Sequence, residues 1–432
     1  MPKQKFAKEL IVIYRQQILE YLDVFTKQPV KHFYDILFQN LDLSGIPAFP
    51  AKGRKGFSAH AMLRAFILMK IERFHWITQL IEYLDNNLII AYFCGFDPAK
   101  KLPSYSAFDR FIQSFPHELL DHLMASQVQD LYKKGILSSA FIGIDSMPIF
   151  ANTKLNNPNA FHFDKNGTLK QPKSDLDCRL GAHASSNAPG KNKVYYYQGY
   201  KEHVAVDCIS GLPLACLTTP ANVADCSVAL NLVKKTNTVI PLYGGALLAD
   251  KGYDAKYIYD SLVQDFALTP YIPLNMRNTK KKLFSGGRLL CKAGLPMNKG
   301  GKSHDNNRTR QRFYCPLRLS KDKDCPCKHE KFYNGKVRRG CEQWVTVPDD
   351  LRLQIDRHSY DFKITYARRT WCERYNSRFK MAGNARMWVR SLSAVSNMNV
   401  LTHIAILSVA LAAVNTGNAK GVTSIKAMKC SA

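Results

Sequence analysis

The period of the apolar residues changes near position 139, and this change limits the folds open to the chain. Before it, apolar side chains recur at spacings of three and four, as in Leu63, Phe66, Ile67, Ile71 and Phe74, which is the pattern of a helix face. After it come short runs with β-branched residues, separated by Gly, Pro and Asp: FIGIDSMPIF, YKEHVAVD, LPLACLTT, GGALLAD and FALTPYIPL. Such runs are typical of strands. We therefore predict an all-helical N-terminal region followed by an α/β domain with a mixed sheet and flanking helices.

Three acidic residues stand out from these patterns. Asp145 and Asp250 lie at the ends of predicted strands. Four other side chains would share an arc of roughly 60° if their segment formed a single α-helix: Tyr366, Arg369, Glu373 and Lys380. A carboxylate among cationic side chains suits a metal ion on a phosphodiester, because the acid supplies a hard oxygen ligand and the cations neutralise phosphate oxygens. Taken singly, a turn or N-cap Asp and a solvated helix face explain the same residues. Their conjunction and their order favour a site.

The spacing Tyr-x2-Arg-x3-Glu-x6-Lys, preceded by the two Asp residues, resembles the signature of the DDE transposases of bacterial insertion sequences. The resemblance covers the chain from about residue 50 to residue 415. It implies an RNase H-like core in which Asp145, Asp250 and Glu373 converge. It also implies that the N-terminal helices bind the transposon end and that a further domain is inserted between Asp250 and Glu373.

The same resemblance implies a mechanism of DNA strand cleavage and transfer. Two Mg²⁺ ions, for which Mn²⁺ can substitute, would lie roughly 3.5 to 4 Å apart. Asp145 would bridge them, with Asp250 holding one and Glu373 the other. Water and later a DNA 3′-hydroxyl would be the nucleophiles. Arg369 and Lys380 would contact phosphates next to the scissile bond, and Tyr366 would position the terminal nucleotide.

The charge of the chain indicates a polyanionic partner. Lys and Arg number 61 against 34 Asp and Glu, a net charge of +27 with a pI near 9.6, which favours nucleic acid. We expect double-stranded DNA, namely the terminal inverted repeats and the target, bound by a homodimer in a synaptic complex. The most apolar run, 400–414, is shorter than the roughly 20 residues of a membrane span, and we see no signal-peptide pattern. We therefore expect a cytoplasmic protein.

Cysteines are concentrated in one segment. The chain has 12 cysteines, and in a cytoplasmic protein these are reduced thiols or metal ligands rather than disulfides. A structural Zn²⁺ takes four thiolate or imidazole ligands, and one set is Cys291, Cys315, Cys325 and Cys341. The spacing between Cys325 and Cys327 is one residue, whereas zinc ribbons usually leave two to four. A β-rich insertion with free thiols is the alternative.

These observations predict a domain order and leave two other functions open. The predicted segments are a helical end-binding domain (1–135), the first part of the catalytic core (136–274), a cysteine-rich insertion (275–350), the C-terminal helices of the core (351–415) and a basic tail (416–432). One alternative function is a nuclease of the same fold that does not transfer strands. The other is a catalytically idle or domesticated DNA-binding protein.

Overall fold

The structure is a computed structural model, and the residues it describes form two compact units. The described residues are 29–51, 56–156, 171–184, 194–275, 284–285, 287–305, 308–320, 324–334, 339–346 and 350–431. The first unit comprises residues 1–139, 143–241 and 370–432, and the second comprises 140–142 and 242–369. The start of the predicted helical domain, residues 1–28, lies outside the described residues.

Helices make up the N-terminal part of the first unit, as the apolar spacing predicts. They are α1 (Pro29–Gln39), α2 (Ala59–Ile71), α3 (Ile77–Asn86), α4 (Leu88–Cys94), α5 (Tyr105–Ser114) and α6 (His117–Lys133). Helix α2 is buried along most of its length. Its Phe66 ring packs edge-to-face on Phe108 of α5, with ring centroids 5.5 Å apart, so that aromatic side chains hold these helices together.

A set of strands follows in the same unit. They are β1 (Phe141–Phe150), which begins in the second unit, β2 (Arg179–Ala184), β3 (Val194–Asp207) and β4 (Pro213–Pro220), with helix α7 (Asp225–Val239) after them. The long strand β3 pairs antiparallel with β2 through its first half and with β4 through its second half. Strand β1 lies next to β3, and α7 packs on β3 and β4.

The second unit combines a short parallel pair of strands with a separate small sheet. Its elements are β5 (Ala246–Leu248), α8 (Lys256–Gln264), β6 (Thr269–Tyr271), β7 (Phe284–Ser285), β8 (Arg288–Leu289), β9 (Asn298–Asp305), β10 (Arg308–Tyr314), α9 (Glu330–Tyr333), β11 (Glu342–Thr346), α10 (Leu351–Gln354) and α11 (Tyr360–Ala367). Strands β5 and β6 are parallel, and Ala246 N donates to Ala140 O at the start of β1, at 2.8 Å. Strands β9, β10 and β11 form an antiparallel sheet inside the predicted insertion.

The chain returns to the first unit with its most buried helix. The elements there are α12 (Thr370–Phe379), a π-helical turn (Lys380–Asn384), α13 (Leu392–Asn415), a 3-10 turn (Ala419–Val422) and α14 (Ile425–Ser431). Helix α13 packs against α2, α5, α6 and β4. Helix α13 has 24 residues, more than the 15-residue apolar run of the sequence analysis, and it is long and apolar enough to cross a membrane. However, 94% of its apolar window is buried inside the protein. Burial of this extent is that of a core helix.

The fold class predicted from the sequence is confirmed. The chain has a helical N-terminal region, a mixed sheet with flanking helices that is RNase H-like, and a separate small β-sheet in a segment whose loops contain cysteines. The predicted boundaries at residues 135, 274, 350 and 415 divide the chain into consecutive segments, whereas the two compact units are each built from separated segments. These boundaries stay predictions.

Candidate active site

Asp145 lies on β1 with its carboxylate held from two sides. Its Oδ1 accepts a hydrogen bond from Ser146 N at 3.0 Å, and its Oδ2 accepts one from Asn376 Nδ2, also at 3.0 Å. The neighbouring Ile144 and Met147 are buried, whereas Asp145 is half-buried. The structure places Asp145 inside the strand rather than at its end, because the whole run FIGIDSMPIF is extended. A carboxylate of fixed orientation thus lies within a strand of which half the residues are buried.

Helix α12 presents Glu373 and Asn376 on one face. Residues three apart on an α-helix are neighbours on its surface, so these two side chains lie side by side. Because Asn376 contacts Asp145, the same face of α12 brings exposed Glu373 to the side of β1 that carries Asp145. Strand β1 and helix α12 are thus in direct contact through Asp145 and Asn376, and the association of Asp145 with Glu373 stays a prediction.

Gly143 allows α12 to approach β1 closely. A Cβ atom at this position would lie 2.1 Å from Cys372 Sγ and 2.7 Å from Cys208 Sγ, distances that no side chain can adopt without displacing these atoms. Gly143 lies two residues before Asp145, and Cys372 directly precedes Glu373. The missing side chain therefore contributes to the spacing between the two acids.

The opposite face of α12 is fixed by a buried hydrogen-bond network. The Tyr375 hydroxyl bonds to His403 Nδ1, and His403 Nε2 lies 2.9 Å from Glu202 Oε1. Glu202 also accepts hydrogen bonds from Asn399 Nδ2, at 2.9 Å, and from the Thr218 hydroxyl. Burial acts to raise the pKa of Glu202, but the hydrogen bonds and charge of His403 outweigh it and hold that pKa below its usual value. The network joins α12 to β3, β4 and α13.

Glu202, His403 and Cys216 form a cluster with metal-ligand geometry. Their ligand atoms lie within 4.8 Å of one another, and all three residues are buried. The Glu202 oxygens already accept hydrogen bonds from several neighbours, and burial raises the pKa of the Cys216 thiol well above its usual value. A protonated thiol is a poor ligand. We therefore interpret this cluster as part of the network that positions α12.

Asp250 belongs to the second unit, where it follows β5 as predicted. Its side chain caps the 3-10 turn Lys251–Tyr253, and its Oδ1 accepts a hydrogen bond from Gly252 N at 2.6 Å. The Asp250 side chain is half-buried. The turn thus fixes the direction of a carboxylate directly after a buried strand.

The single helix predicted for residues 366–380 is wrong. Tyr366 lies near the end of α11, and the bonds from Arg368 N to Thr365 O, at 3.1 Å, and from Arg369 N to Tyr366 O, at 3.0 Å, join residues three apart instead of four. Helix α12 then begins at Thr370, and a π-helical turn begins at Lys380. The change of hydrogen-bond spacing interrupts the α-helix, so the premise that the four residues lie on one helix does not hold.

The four residues of this motif therefore have separate local settings. Tyr366 stacks on Phe362, with ring centroids 5.7 Å apart and an interplanar angle of 16°. Tyr366 and Arg369 belong to the second unit, while Glu373 and Lys380 belong to the first. Lys380 is exposed.

The cysteines of the insertion fall into two clusters. Cys291 and Cys341 pack with Leu289, Met297 and Phe313, whereas Cys315 and Cys325 pack with Phe332. Cys327, which the predicted zinc set leaves out, touches both clusters, and its Sγ lies 3.5 Å from Cys291 Sγ. Burial raises the pKa values of Cys315 and Cys341.

These positions do not assemble the predicted zinc ligands. In the described part of the chain, Glu202, Cys216 and His403 form the one group of three metal-ligating side chains within 4.8 Å, and it contains no cysteine of the insertion. The structure thus fits free thiols in an apolar core, and zinc binding by Cys291, Cys315, Cys325 and Cys341 stays a prediction.

Sequence reasoning missed two features of the site. One is Asn376, which could have been identified in the sequence because it follows Glu373 by three residues on the predicted helix. The other is the hydrogen-bond network of Tyr375, His403 and Glu202. In this network, Glu202 and His403 are 201 residues apart in the sequence. The spacing of neighbours along the chain carries no information about such a contact.

Two family models match the chain. The family described as "Transposase DDE domain" matches residues 167–408, and the family "Transposase domain (DUF772)" matches residues 22–114. Asp250 and Glu373 lie inside the first match, and Asp145 precedes it. A search of curated proteins finds no significant match.

Two solved structures are similar to the chain. The cryo-EM structure of the piggyBac transposase synaptic complex with hairpin DNA is 12% identical, with a TM-score of 0.40, covering 96% of this chain and 78% of that one. The Mos1 transposase paired-end complex with the left transposon end is 13% identical, with a TM-score of 0.17, covering 54% of this chain and 64% of that one. The family match spans more than half of the chain. The chain therefore belongs to the family of transposase DDE domains.

Proposed function

We propose that this chain is the transposase of an insertion sequence, which cuts DNA at the ends of the element and joins the 3′-hydroxyl ends to target DNA. The observation that carries the proposal is the hydrogen bond between Asn376 and Asp145. It brings the helix face with Glu373 to the strand with Asp145, and these are two of the three acids that the DDE pattern requires. Asp250, directly after β5, is the third.

The proposed cofactor is a pair of Mg²⁺ ions, with Mn²⁺ as a substitute. Carboxylate oxygens are the hard ligands that Mg²⁺ prefers, and Asp145, Asp250 and Glu373 would hold the ions. When bound, the ions would activate the attacking oxygen and stabilise the leaving one. The chain's own contribution is orientation, because Asn376 Nδ2 and Gly252 N each fix one carboxylate.

The proposed partner is double-stranded DNA, both the terminal inverted repeats and the target. The net charge of +27 supports a polyanionic ligand. Arg369 and Lys380 would contact phosphates, and Tyr366 would position the terminal nucleotide. A homodimer would hold two ends together, and we expect the protein to act in the cytoplasm.

The test is an assay of end cleavage and strand joining with DNA that carries the inverted repeats of the element. Asp145→Ala, Asp250→Ala and Glu373→Ala should each abolish Mg²⁺-dependent cleavage and leave DNA binding largely intact, because each removes a metal ligand. Asp265→Ala removes an exposed acid and is the matched control. Cleavage at the normal rate by any of the three variants would refute the role of that acid.

The same assay separates the two alternatives. Cleavage without joining would identify a nuclease of the same fold, and end binding without cleavage would identify an idle or domesticated DNA-binding protein.

A structural Zn²⁺ in the insertion is a separate proposal. Zinc bound by Cys291, Cys315, Cys325 and Cys341 would contribute folding free energy, so chelation should unfold the insertion and expose thiols. Elemental analysis of protein purified without chelator should find about one zinc per chain, and its absence would refute the proposal.

A further inference from the structure

A cavity in the first unit is lined by cationic and apolar side chains. Its volume is about 180 Å³, and it lies between the end of α2, the middle of α13, the π-helical turn and residues 422–426. A single water needs only about 10–15 Å³ of such volume, so a polyatomic ligand has room. Neither Asp145, Glu373 nor Lys380 lines the cavity.

The lining carries positive charge and no carboxylate. Its four cationic side chains are Lys70, Arg73, Arg378 and Lys426. Apart from these, the walls are apolar or neutral, and none of the lining residues is Asp or Glu. A site with charge of one sign and partly apolar walls attracts a ligand of the opposite sign.

Lys70 is the most unusual of the four. It is 3% exposed, and its Nζ donates a hydrogen bond to Asn384 Oδ1. In the described part of the chain, no ion pair with an acid is recorded for it. Burial without a counter-charge lowers the pKa of Lys70 to about 7, because a desolvated ammonium is costly. An anion in the cavity would supply the missing charge.

The other cations are placed to add to this attraction. Arg378 is fixed by hydrogen bonds to Gly211 O and Thr423 O, and its guanidinium lies over the Tyr375 ring, 5.4 Å from the centroid. Arg73 and Lys426 are exposed, so they can meet a ligand that enters from solvent. Buried and exposed cations around one cavity suit a tetrahedral oxyanion, which accepts several charge-assisted hydrogen bonds.

We propose that this cavity is a binding site for a phosphate group, with Lys70 at its inner end and Lys426 at its entrance. The phosphate is either one of the DNA backbone or a free phosphate. Binding of a free phosphate does not depend on the proposed function, whereas binding of a DNA phosphate rests on it; none of the proposed metal ligands or DNA contacts lines the cavity.

The first arm of the test measures binding of inorganic phosphate to the full chain by titration calorimetry, with chloride at the same ionic strength as reference. Lys70→Met keeps the volume and removes the charge, and we expect it to weaken phosphate binding about tenfold or more, the effect of one charge-assisted hydrogen bond. Lys426→Ala should preserve folding, because Lys426 is exposed. This variant should also weaken phosphate binding, because it removes a cation that lines the cavity. Lys420→Ala is the matched control, because Lys420 is exposed and lies outside the cavity.

The second arm distinguishes the two sources of phosphate by measuring the affinity for a short double-stranded DNA at several salt concentrations. If the DNA backbone enters the cavity, the slope of log affinity against log salt becomes shallower by about 0.9 in Lys70→Met but less so in Lys420→Ala. If a free phosphate is the ligand, the first arm shows binding and this slope matches that of the control. The proposal is overturned if phosphate binding is equal in all three variants, or if phosphate does not bind and the DNA slopes agree.

Discussion

Asn376 connects two elements of the candidate site, strand β1 and helix α12. Its amide donates to Asp145 at 3.0 Å, and its position on α12 places Glu373 beside it. An outer partner of this kind fixes the direction of a carboxylate that is to hold a metal ion, and its loss typically costs 10 to 100-fold in metal affinity or activity.

We therefore predict that Asn376→Ala weakens divalent-metal binding and slows end cleavage, each by roughly 10 to 100-fold. Metal binding is measured by Mn²⁺ titration, followed by calorimetry or electron paramagnetic resonance, without DNA. Ser377→Ala is the matched control, because Ser377 is the exposed neighbour on the same helix. Unchanged Mn²⁺ affinity in Asn376→Ala would mean that the hydrogen bond does not position a metal ligand.

At the scale of residues, the sequence allowed three acids to be proposed, but it did not indicate the hydrogen bond from Asn376 to Asp145. Asp145, Asp250 and Glu373 each belong to a local pattern of neighbours along the chain, and such patterns can be recognised in the sequence. Asn376 and Asp145 are 231 residues apart. A contact over that separation depends on packing, so no local pattern predicts it.

At the scale of elements, the strands and the long helices were predictable because each has a clear apolar period. The interruption between α11 and α12 was not, because the segment Arg368-Arg369-Thr370 contains neither Gly nor Pro. The change from four-residue to three-residue hydrogen-bond spacing leaves no mark on composition. The spacing of Tyr366, Arg369, Glu373 and Lys380 is compatible with a single helix, but this spacing alone did not show that a single helix forms.

The contact between β1 and α12 gives a prediction about stability. Gly143→Ala should lower the free energy of unfolding by about 1–3 kcal/mol, as overpacking does, because the new Cβ would meet Cys372 Sγ at 2.1 Å. Chemical denaturation measures this change. Gly45→Ala is the control, since its Cβ would have no neighbour within 4 Å.

A second substitution checks the physical cause. Cys372→Ala in the Gly143→Ala background should restore part of the lost stability, because it removes the sulfur that the new Cβ meets, while Cys208 Sγ still lies 2.7 Å from that Cβ. Neighbouring residues of this kind give non-additive effects in a double-mutant cycle. Strictly additive effects would show that the two residues do not compete for the same space.

At the scale of the whole molecule, composition indicated the partner class but not the division into units. The excess of Lys and Arg favours a polyanion whatever the fold. The two compact units, by contrast, are built from separated segments, such as 143–241 with 370–432. The order of patterns along the chain predicted an insertion, which stays a prediction, because segments that pack together can only be identified in three dimensions.

The last prediction concerns the strength of DNA binding as a function of salt. If Arg369 and Lys380 each contact a phosphate, Arg369→Ala and Lys380→Ala should each make the slope of log affinity against log salt shallower by about 0.9, because each lost contact leaves one fewer counterion to release. Lys133→Ala is the matched control, since its side chain is 74% exposed and its removal changes the net charge by the same amount. Arg369→Lys should recover only part of the cleavage rate, because Lys keeps the charge but lacks the two-pronged guanidinium. Slopes equal to that of the control would mean that these two cations do not contact phosphates and that other Lys or Arg residues bind the DNA.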